Sequence, residues 1–139
     1  MGFWIFMLVM DLLIPCVMIG FGSYFKNHPP KKINYIVGYR TARSMKNKET
    51  WDFARRHSGR TWVVCGSILL PVSAAVMLLA LGKGEDTVGV FGAAVCIGQV
   101  VALILSIIPT ESALKKNFDE NGCPIKGKTK CPDEIRARP

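Results

Sequence analysis

The chain has 139 residues, 50% of them hydrophobic, and carries 18 Lys+Arg against 10 Asp+Glu, for a formal net charge of +8. Its length allows a single domain. A positive mean hydropathy of +0.26 combined with a pI of ≈ 9.5 requires that apolar and basic residues occupy separate stretches. Long apolar runs in the sequence exclude a soluble enzyme and a water-soluble nucleic-acid-binding protein.

Three apolar runs cover residues 3–25, 61–82 and 88–108, and Asp11 is their only charged residue. Each run is long enough to cross a hydrocarbon core of about 30 Å at about 1.5 Å per helical residue. No Lys or Arg precedes Lys26, and the first run is too long for a signal peptide, so we expect it to be retained. The sequence predicts an all-α integral membrane protein with three transmembrane helices.

The basic residues predict the orientation of these helices. They are concentrated in the loop 26–60 and in the tail 109–139, whereas the link between the second and third runs has only Lys83. By the positive-inside rule, the N-terminus lies outside and both basic segments lie in the cytoplasm. Cations near the membrane surface also attract anionic lipid headgroups by about 1 kcal/mol each. The charge therefore requires no direct nucleic-acid partner.

Polar residues inside the three runs are predicted to meet. Asp11, Ser73 and Gln99 lie roughly 12 to 16 Å below the external surface by helical rise. We expect them to form one polar cluster in the interior of the bundle. A carboxylate at that depth is costly unless it is paired, hydrated or protonated. The cluster is therefore either a structural hydrogen-bond network or a binding or proton-responsive site.

Small residues recur on one face of the second and third runs, where they would let helix backbones approach closely in lipid. We expect both faces to pack inside a compact three-helix bundle. The residues are Gly66, Leu70 and Ala74 in the second run, and Ala94, Gly98, Ala102 and Ser106 in the third.

The basic loop contains a predicted helix. Asn47 can cap a helix start, and Glu49 then lies near the positive helix end. Apolar and small residues follow at steps of three and four, which predicts a helix in the membrane interface that turns into, or runs on as, the second span. These residues are Trp51, Ala54, Arg55, Ser58 and Trp62.

The loop also contains a motif of polar, glycine and tryptophan residues. Its members are Asn34, the run Gly38-Tyr39-Arg40-Thr41, Ser44, Asn47, Trp51, Ala54 and, more loosely, Gly59. This motif resembles that of the SdpI family of small bacterial membrane proteins, which is named for an immunity protein against a secreted peptide toxin. The order of one span, this loop and two closely spaced spans also fits, and the resemblance covers residues 5–108.

The resemblance implies a non-enzymatic protein of the bacterial inner membrane. Such a protein protects against or senses a membrane-active peptide toxin outside, and holds a winged-helix transcriptional repressor at the membrane inside. The candidate partner-binding residues are Asn34, Gly38, Tyr39, Arg40, Thr41, Ser44, Asn47 and Trp51. Alternatively, the motif is a folding device that fixes the loop beneath the bundle, with Arg40 on helix-end carbonyls or lipid phosphates.

The tail is predicted to begin with a short amphipathic surface helix over residues 111–121, with Leu114 and Phe118 one turn apart. The part beyond Gly122 is predicted to be flexible. A cytoplasmic tail disfavours a disulfide at Cys123 and Cys131, whereas an external tail would favour one. No metal site or cofactor is predicted.

Two other functions remain open from the sequence. The first is a small transporter or exporter subunit that uses Asp11 as a coupling site and forms oligomers, because three spans are few for a transport path. The second is an accessory subunit of a larger membrane complex. No enzyme is expected, because no nucleophile with an acid–base partner is visible.

Overall fold

In a computed structural model, the described residues, 1–28, 36 and 39–125, form four α-helices and no β-strand. They are α1 (Gly2–Asn27), α2 (Lys48–Leu79), α3 (Glu85–Leu105) and α4 (Ile107–Asn117). The all-α fold predicted from the sequence is confirmed. Asn34, Gly38 and Cys131 lie outside the described residues.

Three stretches of helix are long and apolar enough to cross a membrane: Gly2–Asn27, Lys48–Leu79 and Glu85–Asn117, which joins α3 and α4. No more than 22% of the most apolar window in any of them is buried within the protein. Their apolar side chains therefore face outwards around the bundle, as is expected when the surrounding solvent is hydrocarbon. The chain is a multi-pass membrane protein.

The bundle has two dissimilar ends. The hairpin end contains the start of α1 and the turn between α2 and α3, where Gly82 adopts a φ of +78° that suits glycine. There Trp4 Nε1 donates to the main-chain oxygen of Met77 at 2.8 Å. The loop end contains the end of α1, the start of α2 and all of α4.

The first two helices pack backbone against backbone. A Cβ atom added to Gly22 would lie 2.7 Å from the main-chain oxygen of Gly59, and one added to Gly59 would lie 2.7 Å from that of Gly22. A Cβ added to Gly66 would lie 2.9 Å from the oxygen of Pro15. Only glycine permits this approach, so these three positions set the distance between α1 and α2.

The small-residue prediction is correct for Gly66 of α2, whereas Leu70 and Ala74 are only partly buried, and it is wrong for much of α3. Gly66 is buried against α1, but Ala94 and Gly98 are exposed, and no atom lies within 4 Å of a Cβ added to Gly98. The buried face of α3 instead contains Gly92 and Gln99. The polar Gln99 side chain must face the interior, and this requirement outweighs the packing preference of the small residues.

No separate interfacial helix precedes the second span in the described part of the loop. Residues 48–60 are the first turns of α2, which continues without a break to Leu79. The cap at Asn47 starts the helix, and no proline interrupts it before Pro71, which lies inside the helix. The sequence allowed this outcome when it predicted a helix that turns into, or runs on as, the second span.

The tail helix differs from its prediction in position. Helix α4 begins at Ile107, directly after Ser106, and ends at Asn117. Leu114 is fully buried and Phe118 is 8% exposed, and both pack with Ala54 of α2. The helix is amphipathic, as predicted: it packs this apolar face on the first turns of α2 and leaves Lys115 and Lys116 exposed.

The cysteines separate into two kinds. Cys16, Cys65 and Cys96 are free thiols. Cys123 is disulfide-bonded, which is the outcome that the sequence disfavoured for a cytoplasmic tail and favoured for an external one. It follows a tight turn in which Asp119 Oδ1 accepts hydrogen bonds from the main-chain N–H groups of Asn121 and Cys123.

Candidate functional site

The start of α2 is fixed by a reciprocal cap. Asn47 Oδ1 accepts a hydrogen bond from Thr50 N at 2.8 Å, and Thr50 Oγ1 accepts one from Asn47 N at 3.1 Å. This capping box satisfies two donors that a helix start leaves without partners. Asn47 Nδ2 also donates to the main-chain oxygen of Gly122 at 2.7 Å. Asn47 therefore joins the loop, α2 and the tail at one point.

The segment from Tyr39 to Ser44 forms a closed turn in front of this cap. Ser44 is fully buried, and its Oγ accepts from Thr41 N at 2.9 Å. In return, Ser44 N donates to Thr41 Oγ1 at 3.2 Å. The two hydroxyl residues satisfy each other, so their contribution visible in the structure is to hold the loop.

Tyr39 connects the loop to α4. Its hydroxyl donates to Glu111 Oε1 at 3.0 Å. Burial and the hydrogen bond to the Glu111 carboxylate raise the pKa of Tyr39 above its usual range, because both oppose a charged phenolate. The pair therefore links two segments that are 72 residues apart in the chain.

Arg40 differs from the other described residues of the motif. Its side chain is exposed and makes no hydrogen bond or ion pair with any described residue. The interpretation that Arg40 binds helix-end carbonyls is therefore not supported by its contacts. Its guanidinium remains available to a carboxylate or phosphate from outside the chain.

Helix α4 supplies further contacts to α2 that the sequence did not predict. Trp62 Nε1 donates to Ser106 Oγ at 3.1 Å, and Thr110 Oγ1 lies 3.2 Å from His57 Nδ1. These contacts and the apolar packing of Leu114 cover one side of α2. The loop and the tail thus form a single layer around the first turns of α2, which we call the loop-end layer (residues 39–60 and 106–124).

A buried arginine lies within this layer. Arg55 is only 4% exposed, and its guanidinium carbon lies 5.0 to 5.6 Å from the ring centres of Tyr24, Phe25 and Trp51. No described acidic side chain pairs with it, so the aromatic faces are its partners in the described structure. The sequence indicated only that Arg55 shares a helix face with Trp51. It could not predict the contacts with Tyr24 and Phe25, because these depend on how α1 packs against α2.

The centre of the bundle brings together Asp11, Ser73 and Gln99, one from each spanning helix. All three are at most 1% exposed. Gln99 Nε2 donates to Ser73 Oγ at 2.7 Å and to the main-chain oxygen of Asp11 at 2.7 Å. The bond from α3 to α1 therefore uses the backbone of Asp11 and leaves its carboxylate to other partners.

The Asp11 carboxylate is only half satisfied. Cys96 Sγ donates to its Oδ1 at 3.0 Å, whereas its Oδ2 has no hydrogen-bond partner among the described residues. Gln99 Oε1 is also buried without a partner there. Two buried acceptors without donors are costly in hydrocarbon, and they leave the cluster able to receive a proton or a ligand donor.

No group of three or more His, Cys, Asp or Glu residues is arranged to hold a metal ion within the described part of the chain. Helix α2 contributes to two polar sites at different positions along its length. The first turns of α2 lie in the loop-end layer, and Ser73, further along the same helix, lies in the central cluster.

Comparison with known proteins decides the family. A model described as SdpI/YfhL protein family matches residues 31–110. The chain belongs to the SdpI/YfhL family. It is also 32% identical over 99 residues to the Bacillus subtilis (strain 168) protein named Uncharacterized protein YfhL, and the match covers 71% of this chain and 80% of that one. No solved structure matches.

The SdpI/YfhL match contains the whole loop motif, α2, α3 and the start of α4. Ser73 and Gln99 lie inside the matched range, and Asp11 lies outside it. The family resemblance recognised in the sequence is thereby confirmed. The roles of individual motif residues that the resemblance implied stay predictions.

Proposed function

We propose that this SdpI/YfhL member is a non-enzymatic protein of the bacterial inner membrane that senses or blocks a membrane-active peptide toxin. Its loop-end layer would face the cytoplasm and its N-terminus the outside. The placement of every basic residue except Lys83 in the loop or the tail supports this orientation.

The proposed relay uses α2. One unbroken helix of 32 residues carries both the loop-end layer and Ser73 of the central cluster. A toxin that shifts α1 or α3 at the centre would move the first turns of α2, because the helix is continuous. A winged-helix repressor held at the membrane would have to prefer one position of the layer over the other, since equal affinity for both shifts nothing.

The continuity of α2 is the observation that best supports this proposal. Survival assays test the proposed immunity role. Cells that lack the protein or overproduce it are challenged with membrane-active peptides, with Arg40→Ala as the probe. Arg60→Ala is the matched control, since Arg60 is exposed and lies outside the loop motif. We expect overproduction to raise survival and Arg40→Ala to abolish the gain. Unchanged survival in all strains would contradict an immunity role.

Trp51→Ala is a second probe of the same assay, at a buried residue of the layer. Because this change is expected to weaken folding, the amount of protein in the membrane is measured alongside survival. Loss of protection at a normal protein level would support a role of the layer in the relay.

The orientation has its own test, and the disulfide at Cys123 makes it informative because cytoplasmic disulfides are normally reduced. Single cysteines are introduced at two exposed positions of a cysteine-free variant, Lys48→Cys at the loop end and Glu85→Cys at the hairpin end. We expect a membrane-impermeant maleimide to label Glu85→Cys in intact cells, and Lys48→Cys only after permeabilisation. The reverse pattern would place Cys123 in the oxidising exterior.

A second candidate function is favoured by the free Oδ2 of Asp11. In this alternative the protein is an oligomeric transporter or exporter subunit in which the carboxylate couples transport to a proton. Proton flux in vesicles reconstituted with the full chain would then depend on Asp11 and fall in Asp11→Asn. Equal flux in both proteins would eliminate this candidate.

A further inference from the structure

A cavity of ≈ 520 Å³ lies at the loop end, between α1 and α3. Its walls are Val17 and Phe21 of α1 and Leu103 of α3, and Ser58 and Trp62 of α2 also line it. The volume is within the range of about 300 to 1,000 Å³ that is usual for sites of small ligands. The cavity is not part of the central cluster.

The cavity is positive at its mouth and apolar inside. Arg40 is the one charged residue among the described residues that line it. That guanidinium is exposed and forms no hydrogen bond or ion pair with the described chain. An occupant with an anionic group at the loop end and an apolar body would match this distribution of charge.

Ser58 also lines the cavity. The residue is 2% exposed, and its side chain makes no hydrogen bond to another described residue. A hydroxyl can both donate and accept a hydrogen bond. Ser58 therefore offers a second polar contact, independent of Arg40, for an oxygen-rich headgroup.

The apolar part of the cavity continues along the outside of α1. A second groove of ≈ 490 Å³ shares Val17 with the cavity and is lined otherwise by Val9, Leu12, Leu13 and Cys16. From Val17 to Val9 it follows α1 for roughly 12 Å at the helical rise. Val9, Leu13 and Val17 are exposed on the apolar surface of the bundle. A hydrocarbon chain that lay in this groove would remain in contact with the bilayer.

We propose that the cavity binds one anionic phospholipid, with its phosphate at Arg40, its glycerol oxygens near Ser58 and an acyl chain along the α1 groove. A lining with one cation and many apolar side chains favours a lipid over a free phosphate, because a free phosphate has no apolar part to contact the walls. The lipid would fill the space between the loop motif and the spanning helices. This inference is independent of the proposed immunity role.

Native mass spectrometry of the full chain in non-ionic detergent tests the headgroup contact. Phosphatidylglycerol and phosphatidylcholine are added separately, and the retained lipid is counted. We expect preferential retention of one phosphatidylglycerol, and about tenfold weaker binding in Arg40→Gln, as for a lost charge-assisted hydrogen bond. Arg60→Gln, which removes the same charge from an exposed residue outside this cavity, should bind within twofold of wild type. Equal losses in both variants, or equal retention of both lipids, would overturn the proposal.

A second pair of variants tests the apolar part without changing charge. Leu103→Trp fills the cavity, whereas Leu105→Trp places the same side chain at a position that is 53% exposed. We expect loss of phosphatidylglycerol retention only in Leu103→Trp, with both variants unfolding at the same temperature as lipid-free wild type. Full retention by Leu103→Trp would show that the lipid binds elsewhere and would overturn the proposal.

Discussion

The loop end and the centre of this SdpI/YfhL protein are stabilised by different interactions. The loop-end layer contains large buried side chains, among them Trp51, Leu114 and Phe118. The centre is a set of short polar bonds through Gln99, and two of its oxygens have no described partner. Of these two regions, the loop-end layer therefore has the larger buried apolar side chains. The centre contributes little energy but positions three helices relative to one another.

The largest effect is expected at Trp51, which is fully buried in the loop-end layer. Trp51→Ala should lower the free energy of unfolding by about 3 to 5 kcal/mol, because it removes a buried aromatic ring and leaves a cavity. Titration with a denaturing detergent in mixed micelles measures the change. Phe6→Ala, at a position 53% exposed on α1, is the control and should change it by less than about 0.5 kcal/mol. Equal costs would remove the contrast between packed layer and outer surface.

The next effect is expected where α1 and α2 cross at Gly22 and Gly59. Gly59→Ala forces a Cβ to within 2.7 Å of the Gly22 oxygen, and helix separation should cost about 1 to 3 kcal/mol. Gly98→Ala meets no atom within 4 Å and should be neutral or stabilising by up to about 1 kcal/mol through helix propensity. The same unfolding assay compares the two variants. A neutral Gly59→Ala would show that the crossing is not tight.

The centre of the bundle should respond more weakly, and its two polar partners should respond differently. Gln99→Leu removes both bonds that join α3 to α1 and α2, at about 0.6 kcal/mol each, or about 1 kcal/mol together. Asp11→Asn preserves the main-chain oxygen that Gln99 uses, so it should cost less than about 0.5 kcal/mol. Unfolding measurements on both variants make the comparison. A costlier Asp11→Asn would assign the carboxylate a structural role.

The parts that sequence could predict are those governed by local pattern or by depth. Hydropathy located the three spans, and counting helical rise placed Asp11, Ser73 and Gln99 at one level, where the structure brings them together. The cap at Asn47 and the acidic Glu49 in the first turn were also predictable, whereas the reciprocal cap partner, Thr50, was not predicted.

The parts that sequence could not predict depend on contacts between distant segments. The spacing of Leu114 and Phe118 indicates an amphipathic helix, but nothing in that spacing identifies Ala54 as its partner. Two of the rings around Arg55 belong to α1. Gln99 donates to the main-chain oxygen of Asp11 rather than to its carboxylate, and this geometry depends on the rotation of α3 about its axis. Helical periodicity selects a face but does not select what that face meets.

The smallest effect is expected at the contact between Tyr39 and Glu111, which joins the loop to α4. Tyr39→Phe removes one half-buried hydrogen bond and should cost about 0.5 kcal/mol. Combined with Glu111→Ala, which removes the accepting oxygen, in a double-mutant cycle, it should show a coupling of the same size, which isolates this bond from the rest of the layer. Because the pKa of Tyr39 is raised in the folded protein, this contribution is complete below the unfolded pKa of about 10 and is lost as pH rises through the higher folded value. The difference between wild type and Tyr39→Phe should therefore be constant from neutral pH to about pH 9 and shrink above about pH 10. A coupling near zero would mean that packing alone holds α4 against the loop, and the contrast with the polar centre would then be complete.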